Sequence, residues 1–181
     1  MVCYQKQDAE KSLNGFYKFT LPAMKAAFGT NKIFSTENHD SDLATALDQC
    51  AGIDGVVFDA VNWTFFYSSR VQFGKNFAAF TIRRSRPNGV TTEYAKLLHA
   101  WRIQAPMPTF SVQTFISEDG LSAVVGISPT IDLLKYADKH QDQWRTTKSG
   151  ETFYYCPFND LENVKIYRVD ATGRVEKKNA A

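Results

Sequence analysis

Between Trp63 and Phe73 the chain alternates. Trp63, Phe65, Tyr67, Ser69, Val71 and Phe73 fall on one side, and Thr64, Phe66, Ser68, Arg70 and Gln72 on the other. That period of two is the pattern of a half-buried strand. The apolar run IDGVVFDAV before it predicts another strand, turned at Asn62, and after GKN the run FAAFTIRRS predicts a third. Farther on, TFSVQTFIS and LSAVVGIS flank the hairpin signal EDG, and TFYYC and NVKIYRV predict two more strands.

Helical spacing flanks these strands. In HDSDLATALDQCAG, Asp40 or Ser41 can cap, Leu43, Ala46, Leu47 and Cys50 share a face, and Gly52 stops the helix. TEYAKLLHAWRI opens at Thr91 or Thr92 with Glu93 and turns Tyr94, Leu97, Leu98 and Trp101 inward. Ser128 as cap and Pro129 in the first turn predict a helix through TIDLLKYADKH. Residues 5–30 carry a weaker helical signal, with Pro22 opening and Gly29 closing a short segment.

The order is helix, three strands, helix, then more strands, which predicts an α+β or α/β fold. Its central sheet is mostly antiparallel or mixed and is flanked by helices. The expectation is a single domain over 1–181, with a helical extension at 1–35, a core at 40–140 and a mobile polar tail at 171–181.

Composition adds that aromatics are 14% of the chain, which favours strands. No apolar run approaches the roughly 20 residues that cross a bilayer, and MVCYQKQDAEKSLNG lacks a signal-peptide pattern. Cys3, Cys50 and Cys156 suit reduced thiols better than a disulfide framework or a zinc site, so the expected location is cytoplasmic, away from membranes.

Charge changes the picture more. The net charge is +2, yet the middle of the chain is polarised. From Ile33 to Ser69 there is no Lys or Arg, against Glu37, Asp40, Asp42, Asp48, Asp54 and Asp59. From Arg70 to Arg86 there is no acid, against Arg70, Lys75, Arg83, Arg84 and Arg86. Arg83, Arg84 and Arg86 stand at a strand end before PNG and a helix N-terminus, where forked donors and positive potential suit phosphate. Phe73, Phe77 and Phe80 nearby are candidates to stack on bases. The plainer alternative is a solvated charged face over core phenylalanines.

A helix, a three-strand meander, a helix and a returning strand over residues 40–117, with GID at 52–54 after a capped helix, resembles the restriction-endonuclease-like, PD-(D/E)XK superfamily. The resemblance implies a phosphodiesterase-type site in which Asp54 is a metal ligand for Mg²⁺ or Mn²⁺. Arg70 and Gln72 would be catalytic-site residues, and Glu37 and Asp40 possible extra acids. Where the family has acid-x-Lys, this chain has Ser68-Ser69-Arg70. Serine is a poor ligand for a hard cation, and arginine does not shed a proton to act as a base. Sliding the register to Gln72 puts Lys75 in the turn. Asp54 before Gly55 also suits a plain turn or cap, and Asp59 before Asn62 suits hairpin chemistry. His39, His99 and His140 are scattered, and GxSxG, HExxH and a Gly-rich phosphate loop are absent.

Two functions follow as expectations. One is a nucleic-acid-binding or nucleic-acid-processing protein of the phage or mobile-element kind, with Lys75, Arg83, Arg84 and Arg86 on the backbone. The other is a non-catalytic interaction protein, such as an inhibitor of a bacterial defence nuclease, whose partner is itself a nucleic-acid-binding protein.

Overall fold

The computed structural model describes residues 2–36, 42, 46, 47, 52–59, 61 and 63–178. Strands β1 (Ile33–Ser35), β2 (Gly55–Phe58), β3 (Thr64–Phe73), β5 (Phe110–Ile116), β6 (Ser122–Pro129), β9 (Lys165–Asp170) and β10 (Val175–Lys178) form a seven-stranded sheet in the order β1-β2-β3-β5-β6-β9-β10. Strands β4 (Ala79–Ser85), β7 (Trp144–Thr146) and β8 (Thr152–Pro157) form a second sheet in the order β4-β8-β7. The helices are α1 (Val2–Gly15), α2 (Leu21–Phe28), α3 (Glu93–Arg102) and α4 (Thr130–Lys139). The fold is α+β, a mixed sheet flanked by helices.

One face of the large sheet is covered by the N-terminal helices. Phe16, Phe19, Ala23 and Met24 pack on Tyr67, Val112, Ile116, Val125 and Val169. The segment predicted as an extension is therefore a layer of the fold. It stays helical through Pro22 because Phe16–Thr20 is a π-turn. Proline lacks an N–H and collides with the carbonyl four residues back, and the wider turn relieves both. Gly29, at φ 64°, ends the helix and donates to the Lys25 carbonyl.

The other face carries the second sheet with α4. Phe80, Ile82, Tyr154, Cys156 and Phe158 close a core over Phe115 and Leu133. Gly126 permits the close approach, since a Cβ there would lie 2.5 Å from Phe158 Cζ.

The predicted pairing of the first two strands is present: Gly55–Phe58 runs antiparallel to β3. The third strand departs. β4 pairs with β8, because β3 gives its far edge to β5 in a parallel register from Tyr67↔Phe110 to Phe73↔Ile116. That returning strand follows β4 and α3, a crossover long enough for parallel pairing. The segment expected to be a mobile tail contains β10, paired with β9 from Val175↔Val169 to Lys178↔Ile166.

Ser128 does not cap α4. It lies in β6, fully buried, and Pro129 holds the N-cap position. On α3 Leu97 and Ala100 are buried and Tyr94 packs against the Tyr154 core as expected, while Trp101 is 50% exposed. Of the helix expected over 39–52, Asp42, Ala46 and Leu47 are helical, and Asp40, Ser41, Leu43 and Cys50 lie outside the described residues.

Candidate functional site

The two sheets diverge over β3 and β5 and leave a cleft of about 520 Å³. Its floor follows from strand parity: Ser68 and Arg70 project from β3, and Ser111 and Gln113 from β5, all on the side facing the second sheet. β4 supplies Thr81 and Arg83, the following loop Arg86, and the start of α3 Thr92, Glu93 and Lys96. Asp54, just before β2, also lines it.

The floor is polar and largely hydrogen-bonded. Ser68 Oγ donates to Ser111 Oγ at 3.2 Å, and Ser111 Oγ is 2.9 Å from Thr130 Oγ1. Gln113, 1% exposed, accepts from the Thr81 hydroxyl at 3.1 Å. Arg70 donates to Thr81 Oγ1 at 3.0 Å and to Glu93 Oε2 at 3.1 Å. Glu93 Oε2 also accepts the Arg83 backbone N–H at 3.3 Å. These bonds fix Arg70 and pin β4 to the start of α3. The Thr92 hydroxyl, expected as a cap, donates instead to the Arg84 carbonyl at 3.0 Å.

Arg83 and Arg86 meet one carboxylate oxygen. Their Nε atoms lie 3.3 and 3.5 Å from Glu151 Oε1. This is ion-pair distance, yet neither buried Nε–H is aligned as a hydrogen bond. The guanidinium groups of Arg70 and Arg83 each stand 5.3 Å from the Phe153 ring. Burial lowers the Arg83 pKa, and the positive charges of Arg70 and Arg86 lower it further, against the opposing pull of Glu151 and Glu93. Arginine remains charged regardless, so like charge is concentrated here at a cost. Lining the cleft are Arg70, Arg83, Arg86 and Lys96 against Asp54 and Glu93. The net sign is positive.

The expected site residues divide. Asp54, Ser68 and Arg70 share the cleft, as do Arg83 and Arg86. Gln72 does not line it, and its buried Oε1 lacks a hydrogen-bond partner among the described residues. Arg84, adjacent to Arg83 on one strand, points the opposite way. It donates to Tyr154 Oη at 3.2 Å and lies 3.9 Å over Trp144. Lys75 is exposed in the turn after β3, 5.6 Å from the Phe77 ring. Asp59 accepts from the Val61 and Trp63 backbones at 3.0 and 2.9 Å, the hairpin role weighed for it. Glu37, Asp40 and Asp48 lie outside the described residues.

The Mg²⁺ or Mn²⁺ implied by the resemblance does not fit this donor set. Asp54 Oδ2 takes the Ser69 N–H at 2.6 Å, Glu93 is held by Arg70, and the family's second acid is Ser68. Among the described residues no three His, Cys, Asp or Glu side chains group as for a metal. A hard divalent cation needs several carboxylate or carbonyl oxygens, and the surplus here is of guanidinium. Thr81, Gln113, Phe153 and Glu151 escaped the sequence reading. They reach the site by pairings far apart in the chain, for which no local signal exists. Comparisons with protein-family models, with curated proteins and with solved structures find no match for this chain.

Proposed function

We propose that the protein binds nucleic acid by seating backbone phosphate in the cleft between its two sheets. The observation that carries this reading is the convergence of Arg70, Arg83 and Arg86, with one oxygen of Glu151 serving two of them. A phosphate offers more acceptor oxygens than that single contact and matches forked donors. The start of α3, facing the cleft through Thr92 and Glu93, adds backbone polarity of the same sign. Hydrolysis is not part of the proposal, because the acid-x-Lys positions hold Ser68-Ser69-Arg70 and the donors do not suit a divalent cation.

The test is titration of single- and double-stranded DNA and RNA at several salt concentrations, with and without Mg²⁺ and Mn²⁺. The expected result is salt-sensitive binding without cleavage. Metal-dependent cleavage abolished by Asp54→Ala would replace this reading with a nuclease.

One observation favours the second reading, an interaction protein. Phe34, Val61 and Trp63 are 51, 70 and 67% exposed near the β1 edge of the large sheet, an edge unpaired among the described residues, where a strand edge invites a partner. Absence of nucleic-acid binding even at low salt would select it.

A further inference from the structure

A strip of rings and cations leads out of the cleft along the second sheet. Phe153 and Tyr155 are two residues apart on β8, so they share a face about 6–7 Å apart. Phe153, only 8% exposed, lies beneath Arg70 and Arg83 and anchors the inner end of the strip. Tyr155 pairs across the ladder with Thr81, the residue that holds Arg70. Arg145, opposite Phe153 in the β7–β8 register, sets its guanidinium 4.8 Å from the Tyr155 ring. Phe77, 45% exposed, meets Tyr155 edge-to-face at 6.2 Å, and Lys75 covers it at 5.6 Å.

Resting on the phosphate reading of the cleft, we infer that the Tyr155 and Phe77 end of this strip receives the bases of a single-stranded nucleic acid whose backbone enters at Arg83 and Arg86. The chemistry favours that occupant over others. A duplex hides its base faces, so exposed rings give it nothing to stack on. An acidic protein would use the cations and leave the rings idle. A single strand uses both, since each base carries a π-face and each phosphate a charge, and ring–cation platforms tolerate any sequence. The strip also gives Lys75 a place in binding that the cleft does not. Arg84 and Trp144 stack on the other side of the same sheet and take no part.

The experiment is fluorescence anisotropy with a short labelled oligothymidylate and with a duplex of equal length, on the full chain. Phe77→Ala and Tyr155→Leu should each weaken single-strand binding by about tenfold. Both should leave duplex affinity within about twofold and the salt slope unchanged, since no phosphate contact is removed. Arg83→Ala/Arg86→Ala should weaken both ligands. Phe77 is half-exposed, so its variant should lose less melting temperature than Tyr155→Leu. Wild-type single-strand affinity in Phe77→Ala and Tyr155→Leu, or equal losses on strand and duplex, overturns the strip. Losses in the ring variants with none in the arginine pair overturn the cleft and leave the strip standing.

Discussion

Glu151 is the residue on which the cleft's resting state turns. Its Oε1 lies within 3.5 Å of two guanidinium Nε atoms, the place proposed for a phosphate oxygen. Glu151→Gln should raise oligonucleotide affinity several-fold at low salt. The ion pairs are partly solvated, so the stability change should stay within about 1 kcal/mol. Unchanged affinity in that titration would mean that Glu151 and the ligand do not compete. Cys156 carries a separate expectation, about pH. Burial, then the negative charge of Glu93, pushes its thiol from 9.0 up to about 12. The folded state therefore keeps its proton where the unfolded state has lost it. The associated stability is complete below about pH 9 and falls as pH rises toward 12. In urea unfolding, the advantage of wild type over Cys156→Ala should shrink between pH 8 and pH 10.5. The raised tyrosines Tyr94 and Tyr167 feel no Cys156 charge and cancel, while Tyr136, which Cys156 helps to raise, acts in the same direction as the thiol. An advantage constant with pH would contradict the assignment.

Among the elements, β6 and the Phe158 turn approach closely enough for Gly126→Ala to test their contact. A methyl 2.5 Å from Phe158 Cζ has to displace the buried Phe158 ring. The expected cost is about 1–3 kcal/mol, read as a lower urea midpoint. Elements were legible where the local pattern is two-faced. β3 alternates because Phe65, Tyr67 and Val71 meet the N-terminal helices while Ser68 and Arg70 meet the cleft. The partner of each strand was less legible. Nothing in AFTIRRS says that β4 leaves β3 for β8, because the competing edge, β5, comes 25 residues after the end of β4 (from Ser85 to Phe110). The same limit applies to the site. Asp54, Ser68 and Arg70 could be placed together by parity, and parity also separates Arg83 from Arg84, which sequence proximity had joined. Gln72 shares their strand face but lies one step beyond the cleft. Phe153 in β8 and Glu151 just before it come from a segment whose position depends on the whole fold.

At the scale of the molecule, helices cover one face of a seven-stranded sheet, and a smaller sheet with α3 and α4 covers the other. The cleft opens where the second covering stops short of β3. No helix among the described residues is long and apolar enough to cross a membrane. With a net charge of only +2, attraction for a polyanion has to come from local placement of charge. The most direct test compares the salt dependence of single-strand binding in wild type, Arg83→Ala/Arg86→Ala and Arg84→Ala. If the cleft seats phosphate, the double variant should bind more weakly, and its slope of log K against log salt should fall by about 0.7 for each lost contact. Arg84→Ala, which removes a charge facing Trp144, should keep the wild-type slope. A double variant with wild-type affinity and slope, or an Arg84→Ala slope that falls as far as the double variant's, would contradict the cleft as the phosphate site.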